Sequence, residues 1–247
     1  MSNHPGARAP RPDQDPAGLD LAARHAPRIL FDRHEPFLPL RAGYTIFRAD
    51  GYSPSFPRAI GLRPVAIPTA TLAIEYAIWW DWDITHLYDL EHVWVFLDAG
   101  GAVVRVEASW HGQFWSAPRL DGRSPALHGG THPVLYAQPG KHALLPDPAL
   151  FLDSKDALRR SCTVKAGRGG VLVTPVFRDV LAPSRTEPAN ALVERHLKSH
   201  AFEPALEWDR VFDVRPELLI PWPQLAAWIP QRVEWILARL AAGMTVV

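Results

Sequence analysis

The chain has 247 residues, with 26 Lys and Arg balanced by 26 Asp and Glu, so bulk electrostatics gives it no pull toward nucleic acid or an acidic membrane surface. Its one cysteine, Cys162, excludes an intrachain disulfide and a cysteine-based zinc site. Ten Trp and 47% hydrophobic residues suffice for a sizeable core, but no stretch approaches the roughly 20 apolar residues of a membrane span, and the N-terminus lacks the apolar segment of a secretory signal, so the expectation is a cytoplasmic protein without a transmembrane segment or a nucleic-acid partner.

Residues 1–25 carry Pro, Gly, Asp and Arg with few large apolar side chains and read as a disordered arm, order beginning near Ala26-Pro27-Arg28-Ile29-Leu30-Phe31. From there to about residue 185, short β-type runs alternate with Pro, Gly and Asp punctuation. Residues 71–80 (TLAIEYAIWW) form one such run and residues 89–97 (DLEHVWVFL) the next. Asp98-Ala99-Gly100-Gly101 is a turn signal, and residues 102–110 (AVVRVEASW) complete a hairpin. Residues 133–138 and 171–177 predict further strands, and residues 147–160 a short helix or turn. Beyond residue 186 the period changes. Leu192, Val193 and Leu197 stand at helical spacing, and residues 223–242 place Leu225, Trp228, Val233, Ile236 and Leu240 on one helical stripe, kinked or restarted at Pro230. The fold expected is mainly β: an antiparallel β-sandwich over residues 26–185 with peripheral helices, and a helical C-terminal segment, residues 186–247, packed on it.

Chemistry concentrates in His86-Leu87-Tyr88-Asp89-Leu90-Glu91-His92. Side chains alternate along a strand, so Asp89 and Glu91 share a face with Val93 and Val95, and His92 lies opposite with Trp94 and Phe96. Two carboxylates on one face repel unless a positive group lies between them. His86, in the loop entering the strand, folds back to the same point, and Asp81 or Asp83 closes the set from the end of the preceding strand. His86, Asp89 and Glu91 with Asp81 or Asp83 therefore predict a divalent metal ion as cofactor. The mixed imidazole and carboxylate donors suit Mn²⁺, Fe²⁺ or Zn²⁺, or a hydrated Mg²⁺ or Ca²⁺. The competing reading is that these are solvated residues at a loop end.

Other histidines supply candidate acids and bases. His92, His111 and His142 are the catalytic candidates. His132 and His142 flank one strand, so at most one of them shares a site with His86. No nucleophile elbow, phosphate-binding loop or dinucleotide fingerprint is present. Gly167-Arg168-Gly169-Gly170 precedes a strand and not a helix, and reads as a turn.

Residues 26–39 (APRILFDRHEPFLP) resemble the opening of the Vps62-like family. Tyr76 to Asp98, Ala108-Ser109-Trp110-His111-Gly112, and His132 through Ala143 resemble its later blocks, in order. The H-x-x-D-x-E spacing of His86, Asp89 and Glu91 also resembles the heptapeptide region of the necrosis-inducing, NPP1-type cytolysins, with Tyr88 and Leu90 at positions that usually differ there. That second resemblance implies a β-sandwich with a divalent cation held by His86, Asp89, Glu91 and an upstream Asp. The cytolysins are secreted, and their membrane activity is not carried over.

Three functions follow from these residues. The first is a metal-dependent enzyme, of hydrolase or lyase type, acting on a small or medium organic substrate. The second is a non-enzymatic, cation-dependent module that binds a glycan, a lipid headgroup or a protein partner. The third is an ion that only ties the mouth of the hairpin.

Overall fold

Leu72–Trp82 and His86–Leu97 are the longest strands, and they pair antiparallel with Leu72 opposite Leu97 and Trp80 opposite Asp89. The computed structural model describes residues 16–63, 69–116 and 126–246. The two strands form the centre of a larger sheet whose order is Leu219–Pro221, Arg41–Phe47, Leu72–Trp82, His86–Leu97, Val103–Trp110 and Gln113–Ser116, with Gly170–Val171 beside the start of His86–Leu97. A smaller sheet runs Leu144–Leu145, His132–Ala137, Arg28–Phe31 and Arg210–Asp213, with Leu127–His128 added to His132–Ala137. The fold is a mainly-β sandwich with a helical C-terminus. Most pairings are antiparallel, but Arg28–Phe31, Leu219–Pro221 and Gly170–Val171 each join a neighbour in parallel. The expected sandwich is thus present, with these short parallel pairings added to its antiparallel ladders. The parallel partners arrive from far along the chain, which gives no local hairpin signal.

The larger sheet is buried on both faces. On one side Tyr76, Ile78, Trp80, Val93 and Val95 meet Ile29, Phe31 and Leu135 of the smaller sheet in the main core. On the other, Trp94, Phe96 and Ala73 form a separate cluster with Ile60 and Leu62. That division is the period-two alternation of the strand made visible. Double burial also explains why residues 71–80 are apolar almost throughout.

The rest of the outer face is covered by the C-terminal helix Trp222–Ala241, which buries Leu225, Trp228, Ile229, Val233 and Ile236. The helix lies close because Gly43 has no side chain: a Cβ there would be 3.0 Å from Leu225. Pro230 sits inside this helix without dividing it. Removing one backbone donor is tolerated because the flanking turns are held by burial of the apolar stripe. The preceding helix, Glu187–Lys198, begins at Thr186, whose hydroxyl accepts the Ala189 amide.

Two expectations are corrected. Residues 1–15 lie outside the described residues, but Pro16–His25 is a helix and not part of a disordered arm. Its small-residue face docks, burying Ala22, and the Tyr76 hydroxyl donates to the Ala22 carbonyl at 2.6 Å. Composition alone does not reveal that docking. The strand expected over residues 171–177 is confined to Gly170–Val171, followed by a 3₁₀ turn at Pro175–Phe177. Pro175 opens that turn, where its fixed φ suits the first helical position. The segment over 147–160 is two short helices, Ala149–Leu152 and Lys155–Cys162. Among the described residues, no helix is long and apolar enough to cross a membrane.

One turn fixes the two sheets' relative position. Gly140 has φ +68° and lies so close to the 83–85 turn that a Cβ would come within 2.6 Å of Ile84 Cγ2 and 3.0 Å of Cys162 Sγ. Its carbonyl accepts the Ile84 amide at 2.7 Å. Gly140→Ala is expected to lose about 2 kcal/mol or more through strain and overpacking. Urea denaturation measures this directly, and a loss below about 0.5 kcal/mol would show that the turn yields freely.

Candidate metal centre

Asp83-Ile84-Thr85 joins the two longest strands, and Asp83 shapes the turn. Its Oδ1 accepts both the Thr85 amide and the Thr85 hydroxyl at 2.6 Å. The second oxygen, Oδ2, points inward and takes Lys141 Nζ at 2.7 Å. The loop 167–170 presses on this turn from behind. A Cβ at Gly169 would sit 2.8 Å from the Thr85 carbonyl oxygen, and the Gly169 amide donates to that same oxygen at 2.7 Å.

His86 opens the next strand with its Nδ1 at 2.8 Å from the Tyr88 carbonyl oxygen. That contact places the ring proton on Nδ1 and leaves the Nε2 lone pair facing the cavity. Burial lowers the pKa of the ring, in keeping with a neutral imidazole. Tyr88 has φ +54°, a left-handed backbone uncommon for a bulky side chain. Its ring stacks on Trp79 at 4.8 Å and its hydroxyl meets Thr174, which hold it there.

Asp89 and Glu91 follow on one face. Asp89 Oδ2 lies 3.3 Å from His142 Nδ1, and His142 Nε2 lies 3.4 Å from Glu35 Oε1. The His142 ring is fully buried, stacked on Trp80 at 4.7 Å. Burial alone would lower its pKa. The Glu35 carboxylate and the hydrogen bond to Asp89 overcome this and raise it to about 10, so the ring is an imidazolium held between two carboxylates. Glu35 is itself anchored by the amides of Gly140 and Phe37. Glu91 accepts the Ser109 hydroxyl, which in turn accepts the His92 amide at 2.6 Å. Burial, and then the charge of Asp89, push the Glu91 carboxyl well above its usual range.

Lys141 completes the group. Its Nζ donates to Asp83 Oδ2, to Thr85 Oγ1 at 2.8 Å and to His86 Nε2 at 3.3 Å. Burial opposes its charge, but Asp83, Asp89 and Glu91 together raise its pKa. Burial also acts to raise Asp83, yet the positive charge around it, with the Lys141 ammonium in direct contact, holds that carboxyl at about 2.

Asp83, His86, Asp89, Glu91 and Lys141 line a cavity of about 370 Å³. Phe56, Pro57, Leu90 and the segment Leu172–Val176 form its apolar walls. Four described non-glycine residues have left-handed backbones, and three of them, Tyr88, His111 and His142, lie at this site. Strain of that kind gathers where a site needs side chains in positions regular structure does not offer.

Asp83, His86, Asp89 and Glu91 are brought together around the cavity. Asp81 is not. It accepts Arg232 of the C-terminal helix at 2.6 Å and the Trp79 indole at 2.9 Å, on the far side of the sheet. Asp81 and Asp83, two residues apart, would share a face of a continuing strand, but the strand ends at Trp82 and Asp83 belongs to the turn. His111 stands exposed at the edge of the cavity. His92 lies on the opposite strand face from Glu91 yet borders the cavity, its Nε2 at 3.0 Å from Ser55 and its ring stacked on Trp94. Burial lowers the His92 pKa to about 3. Of the pair flanking His132–Ala137, His142 reaches the site and His132 bonds the Ala26 carbonyl elsewhere.

Glu35, Ser109 and Lys141 are site residues that the sequence reading missed. Glu35 comes from a loop more than 50 residues upstream, with no periodic signal. A Lys-His pair directly after Pro139-Gly140 is the one local hint for Lys141.

The donor chemistry suits a divalent ion. His86 offers Nε2 while its other nitrogen donates to a carbonyl, the arrangement typical of a metal-bound imidazole. Asp83, Asp89 and Glu91 supply oxygens. As the side chains stand, however, no three His, Cys, Asp or Glu groups among the described residues converge closely enough to hold an ion, and the Lys141 ammonium lies on two of the prospective ligands.

No family model matches the chain, and no curated protein is similar to it. The Vps62-like resemblance rests on its sequence blocks alone. Solved structures similar to it are toxin-fold proteins at low identity. NLPPya in complex with glucosamine is 20% identical over 56% of this chain and 72% of its own, with a TM-score of 0.33. A structure titled "Toxin fold for microbial attack and plant defense" is 22% identical over 58% of this chain and 75% of its own, again at 0.33. A third, "Toxin fold as basis for microbial attack and plant defense", is 16% identical over 75% of this chain and all of its own, at 0.34.

The imidazolium bridge has a measurable consequence. His142→Gln leaves Glu35 and Asp89 buried with no cation between them, and a loss of about 3–5 kcal/mol is expected by chemical denaturation. The folded pKa of His142 is raised, so its stabilisation is full below about pH 6.5 and is lost as pH rises toward about 10. Wild-type stability should fall across that window, and the variant should lack that component. Equal slopes in the two proteins would refute the charged bridge.

Proposed function

We propose that this protein binds a divalent cation at His86, Asp89 and Glu91, with Asp83 as the fourth ligand, and acts there on a small organic substrate. The observation that carries this reading is that those four side chains all line one cavity of about 370 Å³. The apolar walls at Phe56 and Leu172–Val176 would hold the body of a ligand whose oxygen atoms face the acidic end. A bound ion would supply Lewis acidity or an activated water. His111, at the cavity edge, is the acid–base candidate. His142 is committed to Glu35 and Asp89 and positions Asp89. His92 is held by Ser55 among aromatic rings, and its low pKa makes it a poor base at neutral pH. A hydrolytic or lyase reaction suits one exposed imidazole beside an ion.

One observation favours a second reading. Two of the three candidate histidines are already engaged, so the same site would serve equally as a cation-dependent binding module without turnover.

Elemental analysis and Mn²⁺ titration of the purified protein test the site. About one ion per chain is expected in the wild type, with affinity lowered at least tenfold in Asp89→Asn and Glu91→Gln, and unchanged in Asp81→Asn. Stoichiometric metal retained in both ligand variants would sink the assignment. His111→Ala separates the two readings. The enzymatic one requires turnover to drop by about a hundredfold or more with ligand affinity kept, whereas a binding module has no turnover to lose.

A further inference from the structure

The position of Lys141 bears on how an ion enters. Its side chain is largely buried and comes from a turn that cannot easily shift. Gly140 is wedged against Ile84 and Cys162, the Lys141 amide donates to the Gln138 carbonyl at 3.1 Å, and His142 follows with a left-handed backbone. The ammonium meets three acceptors: Asp83 Oδ2 at 2.7 Å, Thr85 Oγ1 at 2.8 Å and His86 Nε2 at 3.3 Å. An ammonium carries three donors, so this set uses its full capacity. Two of the three acceptors are prospective metal ligands. The His86 lone pair, held in place by the Tyr88 carbonyl, is thus spent on the lysine.

We infer that Lys141 is a built-in cation that occupies the Asp83 and His86 part of the centre, so that a divalent ion binds only by displacing it. This rests on the reading of the cavity as a cation site and adds the residue that sets its affinity. The physical basis is charge and geometry. Even with Glu91 protonated, three carboxylates, Glu35, Asp83 and Asp89, face two cations, Lys141 and His142, so the cluster still favours added positive charge. An ion arriving beside a fixed ammonium is repelled strongly where both the lysine head and its carboxylate partner are largely buried. It also finds the Nε2 lone pair already taken. Displacement removes both obstacles, because the flexible four-carbon stem of lysine lets its head leave toward the open edge of the cavity while the backbone stays in place.

The test uses the full-length chain and Mn²⁺ alone, followed by electron paramagnetic resonance. Lys141→Met and Lys141→Gln are each expected to bind Mn²⁺ about tenfold more tightly than the wild type, or better, and Glu91→Gln added to either should reverse the gain. Lys141→Gln keeps a hydrogen-bonding head without the charge and guards against a variant that fails to fold. A second readout needs no substitution. Saturating Mn²⁺ should raise the rate at which acetic anhydride modifies Lys141 in the wild-type protein, followed by peptide mass spectrometry, as the released ammonium reaches solvent. Variants that bind no more tightly than a wild type that does bind Mn²⁺, or acetylation of Lys141 unchanged at saturation, overturn displacement and leave the cation site standing. Tight binding by the variants with none by the wild type supports the lysine as the resident cation and removes the ion from the native protein. Absence of binding in all three proteins removes both readings.

Discussion

Negative charge gathered at the end of a sheet that is covered on both faces has to be balanced from within the protein, and the Pro139–His142 turn is where the balance comes from. Lys141 answers Asp83, and His142 answers Glu35 and Asp89. Both cations come from consecutive positions on a turn that Gly140 locks against the 83–85 connection. The contact between the two sheets is therefore an apolar interface with a charged seam at one end. The apolar part accounts for the bulk of burial. The seam sets register, because a shift of either strand by one residue would send Asp89 and Glu91 to the wrong face and strand both cations.

Much of the scaffold is legible in the sequence because its signals are local. The hairpin 86–110 follows from alternation and a Gly-Gly turn, and the C-terminal helix follows from its stripe. Elements whose stability comes from docking are not. The helix Pro16–His25 has a composition typical of flexible arms, and it is the burial of Ala22 beneath Tyr76 that orders it. The short parallel strands are equally silent, since two or three residues carry no period of their own.

The site divides along the same line. Strand parity places Asp89 and Glu91 together and His92 across from them, and those positions need no tertiary knowledge. Asp83 and Asp81 cannot be separated by parity, because the outcome depends on whether the strand extends past Trp82 and on an arginine more than a hundred residues away. Glu35 and Lys141 enter through long-range packing alone. What distinguishes Lys141 from a surface lysine is the depth to which a glycine lets its turn sink, and a one-dimensional pattern does not encode depth.

The glycines behind His86 have a consequence for how such proteins would be recognised. Gly167 abuts the backbone of Glu194, Gly169 the Thr85 carbonyl, and Gly170 the side chain of Asn190, each closer than a methyl group allows. A relative that preserves this centre must keep bare backbone at all three points, even if every donor is exchanged for another of the same kind. A signature joining the glycine triplet, the small residue before the Lys-His pair and the H-x-x-D-x-E spacing would therefore trace common descent more faithfully than the acidic motif alone. The donors answer to chemistry, which unrelated lineages reinvent, whereas the glycines record one particular way of folding around it.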